Sequence, residues 1–131
     1  YAAEHGHEVV MTPLPICYFD FYQTESREGE GLRIGGHINF EKVYNWDPLE
    51  GISEEARKNI IGVQCNLWSE YLKDIKMVEG QLLPRLGALC EVQWANDRRD
   101  ESTIRRKMES MRKFYDANGW NYAPYYFEGR K

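Results

Sequence analysis

The chain has 131 residues, of which 42% are hydrophobic and 14% aromatic, with a formal net charge of -4. That composition fits one globular unit and excludes disorder, and the acidic balance leaves no general basic surface for nucleic acid. No apolar run approaches the roughly 20 residues of a membrane span, and the opening "YAAEHGHEVV" lacks the charged-then-apolar order of a signal peptide, so it reads as mid-domain sequence. Three cysteines, Cys17, Cys65 and Cys90, are odd in number and widely spaced; they make neither a disulfide framework nor a CxxC metal knuckle and read as buried free thiols.

In chain order, "AAEHGHE" followed by "VVMTP" predicts a helix end, a turn and a short buried strand stopped by proline. Residues 23–52 are rich in glycine and charge without a sustained period and are placed as a long excursion with short ordered pieces inside. "SEEARKN" predicts a single helical turn capped by Ser53, and Ile60 to Cys65 predict a second strand. From Val78 to Trp94, apolar residues at Leu82, Leu83, Leu86, Leu89, Cys90 and Trp94 predict an amphipathic helix packing on that strand, with Pro84 tolerated only if the helix starts just before it. A last helix is predicted from about Glu101 to Asn118. Its inner stripe is Ile104, Met108, Met111 and Phe114, its cap Asp100 or Ser102, and its stop Gly119.

Strand, helix, strand, helix, with strands apolar on both faces, is the pattern of parallel βα units. Two such units cannot close a sheet alone, and a complete (β/α)8 barrel takes about 250 residues, so the fold class is α/β with the chain as roughly half of such a barrel.

Side chains alternate along a strand, so Val63, Cys65 and Leu67 point one way while Gln64, Asn66, Trp68 and Glu70 point the other. The polar set near the strand end would face the mouth where barrel enzymes keep their active sites. Tyr18 and Asp20 in "CYFDFY" repeat this arrangement after the first strand. A hydroxyl, a tryptophan face and two carboxylates suit a sugar, which offers both C–H faces and hydroxyls. Read from residues alone, packing for the aromatics and solvation or N-capping for the carboxylates stand beside that reading. His5, His7 and His37 lack a third ligand at zinc spacing, so no metal site is expected, and the glycines of "EGEGLRIGG" lack the context of a phosphate loop. The basic residues of "RRKMESMRK" read as a solvated helix face.

At these residues the sequence resembles the β-N-acetylhexosaminidases of glycoside hydrolase family twenty, including the chitobiases. The matching pieces are "AAEHGHEVVMTP", "YFDFY", "YNWDP", "GVQCNLWSEY", "LLPRLGALCEVQW" and "NGWNYA", in the family's order and over nearly the whole chain. The resemblance implies that residues 1–131 are the C-terminal part of the catalytic (β/α)8 barrel, its last two βα units plus the C-terminal helix. It implies a retaining enzyme, needing no cofactor, that removes terminal N-acetylhexosamine from glycans or chitooligosaccharides, with the substrate's own acetamido oxygen as nucleophile. It further implies that Tyr18 hydrogen-bonds that oxygen, that Asp20 and Glu70 grip sugar hydroxyls, and that Trp68 packs along the ring. The family's catalytic Asp–Glu pair has no counterpart here, since no "GGDE"-like stretch occurs. The piece by itself is therefore expected to be inactive, with the remainder of the barrel, or a second copy meeting it at strand edges, as partner. Ile34 stands where some members carry a tryptophan, which implies a less aromatic wall on that side. The parent protein is implied to be exported. Two rival readings follow from the residues: a non-catalytic carbohydrate-binding module, and a half-barrel that self-assembles through its open edges.

Overall fold

The computed structural model describes residues 1–130. A 3-10 turn over Ala3–His5 leads into β1 (Val9–Met11), α1 (Leu14–Cys17), β2 (Phe21–Tyr22), β3 (Ile34–His37) and α2 (Phe40–Tyr44). The second half holds α3 (Glu54–Arg57), β4 (Ile60–Val63), α4 (Ile75–Leu82), α5 (Arg85–Ala95), a 3-10 turn over Asn96–Arg98, α6 (Glu101–Ala117) and α7 (Tyr125–Glu128). None of the described helices is long and apolar enough to cross a membrane.

β1 and β4 pair in parallel, with Val9 opposite Ile60, Val10 opposite Gly62 and Met11 opposite Val63. The ladder then skips one helical turn and resumes where Tyr18 bridges Asn66: the Asn66 amide donates to the Cys17 carbonyl at 2.7 Å, and the Phe19 amide to the Asn66 carbonyl at 2.8 Å. The interruption has a local cause. Pro13 and Pro15 carry no N–H for a ladder, and their fixed φ suits the first turn of a helix, so the chain coils once through α1 before rejoining its neighbour. A second parallel pair, β2 with β3, puts Phe21 opposite Ile34 and Tyr22 opposite His37.

One face of the β1–β4 pair is covered. Phe19, Ile38, Val43, Val63, Leu89 and Met108 share a core to which α2, α5 and α6 each contribute. The other face is open among the described residues, with Val10 45% and Ile61 58% exposed, which corrects the expectation of burial on both faces. The stretch 23–52 carries β3 and α2, and its Ile38, Phe40, Val43 and Tyr44 all enter the core.

The helix expected over 78–94 is two helices that meet at Pro84, which occupies the N-cap of α5. Leu82 ends α4, Trp94 is 80% exposed, and Cys90 is exposed too. The buried face of α5 is Arg85, Ala88, Leu89 and Val92, an i, i+3, i+4, i+7 stripe that an apolar count misses because it begins with a charge. Of the three thiols only Cys17 is fully buried, and burial pushes it up to about 12.

α6 starts where expected. The Asp100 carboxylate accepts from the Thr103 amide at 2.8 Å and from the Ser102 hydroxyl at 2.7 Å, and hydrogen bonds from Thr103 and Ser102 hold that carboxyl down at about 2. Its inner face differs: Ile104, Met108 and Tyr115 are buried, whereas Met111 and Phe114 are exposed. Tyr115 takes the inner place about three turns on from Ile104, and Phe114 lies instead edge-on to Trp120 at 5.5 Å. Ser53 does sit at the N-cap of α3, but its side chain makes no cap; its hydroxyl donates to Glu4 at 2.7 Å.

Candidate functional site

The ends of the two long-range strands meet at the Tyr18–Asn66 bridge. On the β4 side, Asn66 is held from both directions: its amide side chain donates to the Thr12 hydroxyl at 2.7 Å and accepts from the Gln64 side chain at 3.1 Å. Regular strand stops at Val63, so strict alternation does not itself carry through to Glu70, which lies in a turn. Burial does not alternate either: Cys65, Asn66 and Leu67 are half-buried and Trp68, Ser69 and Glu70 all exposed. Cys65 and Leu67 pack against the core, while Gln64 and Glu70 are exposed and Trp68 is 55% exposed.

On the other side, Tyr18 is half-buried and its ring stands edge-on to Phe21 at 6.1 Å. Asp20 sits in the turn that follows, 6% exposed, and its Oδ1 has no hydrogen-bond partner among the described residues. Burial raises its carboxyl above the usual range. Its own backbone amide opposes that, the Glu70 carboxylate adds to it, and Arg85 and the Trp68 amide oppose it again. Asp20, Glu70 and the Trp68 backbone are thus within electrostatic reach of one another, and Tyr18 adjoins them through the turn in which the Phe21 amide donates to the Tyr18 carbonyl at 3.3 Å.

Three residues that the sequence reading passed over hold this turn. Arg85 is wholly buried, and its guanidinium donates to the carbonyls of Phe19 at 2.5 Å, Ile38 at 2.9 Å and Gln81 at 2.7 Å, with a longer bond to Phe21 at 3.4 Å. It also lies over the Phe19 ring, 4.7 Å from its centre. Burial lowers Arg85 to about 9, against the pull of Glu30 and Asp20, so it stays charged at neutral pH. The Gln81 side chain donates to the Phe21 carbonyl at 3.3 Å and accepts from Gln23 at 3.0 Å. Glu30, also buried, accepts from the Gln23 and Thr24 amides at 2.7 and 2.8 Å and from the Thr24 hydroxyl at 2.8 Å. The one signal for Arg85 in the sequence is a charge at the head of the α5 stripe; for Glu30, placed in "EGEG", there is none.

Beside this turn, β3 comes close enough that Gly35 is required. Its φ is +74, and a Cβ there would lie 2.6 Å from the Phe21 ring. Ile34, the preceding residue, is 36% exposed.

No group of three His, Cys, Asp or Glu able to hold a metal occurs among the described residues. His5 bonds the Tyr1 carbonyl at 2.9 Å, and His37 lies 3.7 Å from Glu25. An apolar groove of about 380 Å³ runs beside β4, lined in part by Leu49, Ile61 and Trp94; none of Tyr18, Asp20, Trp68 and Glu70 lines it.

Comparison with known proteins bears on this arrangement. The family described as "Glycosyl hydrolase family 20, catalytic domain" matches residues 1–97. A β-N-acetylhexosaminidase of Cellulomonas fimi is 33% identical over 126 residues, 94% of this chain and 25% of that protein. A β-hexosaminidase of Porphyromonas gingivalis is 33% identical over 124 residues, 92% of this chain and 16% of the relative. This chain therefore spans a quarter or less of the length of these relatives. Among solved structures, an exo-β-N-acetylglucosaminidase from Vibrio harveyi superposes with a TM-score of 0.82 at 29% identity, covering 92% of this chain and 19% of the other. A β-N-acetylhexosaminidase from Streptomyces coelicolor superposes at 0.79 with 25% identity, covering 92% of this chain and 24% of the other. Together with the parallel β1–β4 pair and the helices packed on one face of it, these likenesses make the fold a part of an α/β barrel.

Proposed function

The chain belongs to glycosyl hydrolase family 20, and on that footing we propose that it forms one wall of the sugar pocket of a retaining β-N-acetylhexosaminidase. The observation that carries this reading is the buried Asp20 carboxylate, whose Oδ1 has no partner among the described residues although Glu70 and the Trp68 amide lie within electrostatic reach. A buried acceptor left without a donor costs about 1–3 kcal/mol, and a sugar hydroxyl is a donor that would recover it. Asp20 and Glu70 take hydroxyls of a terminal N-acetylhexosamine, and the exposed Trp68 offers its face to the C–H side of the ring.

Tyr18 donates its phenol to the acetamido oxygen and holds that oxygen in line for attack on the anomeric carbon. The reaction is substrate-assisted, so the nucleophile is delivered by positioning rather than by a carboxylate of the protein. The general acid and the aspartate that orients the acetamido group come from outside these residues, since no counterpart of that pair occurs in the sequence. The open β1 and β4 edges receive the neighbouring strands of the barrel. Neither a non-catalytic binding module nor a self-assembling half-barrel is favoured: the relatives are named as hydrolases, and a wall lacking its opposite side loses preorganisation for binding.

The test is hydrolysis of a chromogenic β-N-acetylglucosaminide by this chain alone and by its mixture with the complementary N-terminal part of the Cellulomonas fimi relative. Activity should appear only in the mixture, and Tyr18→Phe should lower kcat by about 100-fold with a smaller change in KM. Turnover by this chain alone, or a co-purifying mixture with no turnover, would overturn the proposal.

A further inference from the structure

The proposed wall includes a turn, residues 18–21, whose Phe19 ring is in the core and whose backbone leaves the β1–β4 ladder. Beyond Tyr18 the parallel ladder ends, so the carbonyls of Phe19 and Phe21, on either side of Asp20, have no strand partner in β4. Both are taken by a single side chain from elsewhere. Arg85, at the first turn of α5, donates to Phe19 and Phe21 and also to Ile38, which follows β3, while its Nε and Nη2 return to the Gln81 carbonyl at the end of α4. Three segments thus converge on one guanidinium that solvent does not reach.

Resting on the hexosaminidase reading, the geometry points to Arg85 as the positioning residue that sets the Tyr18–Asp20 turn by clamping the peptide carbonyls flanking Asp20. Three features support it. First, the Phe19 carbonyl lies in the peptide plane that enters Asp20 and the Phe21 carbonyl in the plane one residue beyond the one that leaves it, so the guanidinium restrains the backbone before and after Asp20. Second, the Phe19 amide simultaneously donates to Asn66 at 2.8 Å, so the turn is gripped on opposite sides by Arg85 and by the segment leading to Trp68 and Glu70. Third, the Gln81 side chain repeats the grip on Phe21 and relays it through Gln23 to the loop that Glu30 ties down. A planar fork of five donors reaches such a set of acceptors; a lysine, one point of charge on a flexible stem, does not.

Arg85→Lys tests this because it keeps charge and most of the volume. In the reconstituted enzyme it should lower kcat/KM by about tenfold or more, yet by less than about twofold when Asp20→Ala is already present, since an effect exerted through the Asp20 carboxylate is absent once that carboxylate is gone. Losses that multiply independently would mean that Arg85 serves general stability only, and would overturn the inference. Amide exchange of this chain without any partner supplies the second readout: Arg85→Lys should speed exchange at Phe19 and Ile38 by about tenfold or more while leaving the middle of α6 unchanged. Equal protection at Phe19 in the two proteins would overturn the inference, whatever the activity. Wild-type reconstitution without turnover would instead bring down the hexosaminidase reading, and exchange would still decide the role of Arg85. Should Arg85→Lys yield no folded chain, Gln81→Leu removes the parallel grip on Phe21 and should give the same pattern at smaller amplitude; no change in it would likewise count against the clamp.

Discussion

Residues 17–24 and residues 66–71 each continue a strand of the same parallel pair, yet the first runs through buried Cys17, Phe19, Asp20 and Thr24 while the second ends on exposed Trp68, Glu70 and Tyr71. The first is held by side chains from α4, α5 and the loop around Glu30. The second is held at Asn66, by Thr12 and Gln64, and beyond it among the described residues no side chain of 68–71 makes a hydrogen bond to another element. The contrast teaches that preorganisation need not be shared evenly between the sides of a site. One segment has its geometry imposed by a polar network behind it, at the cost of burying a carboxylate; the other keeps its groups hydrated until a ligand or neighbouring strand displaces that water.

Three substitutions sharpen or break that contrast. The largest effect on stability is expected from Glu30→Gln, which puts an N–H donor or a weaker acceptor against two backbone amides and the Thr24 hydroxyl; a loss of about 2 kcal/mol in urea unfolding is expected. An unchanged midpoint would show that the network does not hold the first segment. Asp20→Asn should act in the opposite direction. Because burial raises the Asp20 carboxyl in the folded chain, stability falls as pH rises from the ordinary carboxylate range through the raised one, and the ionised form is disfavoured at every pH above it. The variant should therefore unfold at a higher urea concentration than the parent at neutral pH, with the difference closing as the pH falls through that window. A difference that widens on acidification would reverse the sign assigned to Asp20. Smallest of all, Trp68→Ala should leave the unfolding free energy within about 0.5 kcal/mol while impairing the reconstituted enzyme through KM. A large loss of stability would mean that the second segment is as firmly built as the first.

Much of the fold was legible because local signals and tertiary packing agree. "VVMTP" and Ile60 onward are β-branched runs and form β1 and β4; Asp100 precedes a periodic stretch and caps α6. What escaped is what neighbours decide. β3 and α2 lie in a glycine-rich, charged stretch and form because Ile38 and Val43 find a core supplied largely by α5. Met111 and Phe114 continue an apolar spacing, but Tyr115 is the residue that faces inward. The proposed site residues stood out as aromatics and carboxylates past the strand ends, whereas the residue behind them did not: an arginine in an apolar stripe looks like an interruption until the carbonyls it serves are in place.

The packing of Phe21 on Gly35 has a practical consequence for anyone seeking to alter the sugar preference of the proposed hexosaminidase. A library that randomises "RIGG" as a block would squander a quarter of its positions, because every side chain at Gly35 collides with the ring and strains a left-handed backbone. The neighbours differ: Ile34 is partly solvent-facing, and a Cβ at Gly36 would meet no atom within 4 Å. Diversity placed at those two positions alone would explore new surface along β3 while leaving undisturbed the Phe21 ring that stands edge-on to Tyr18.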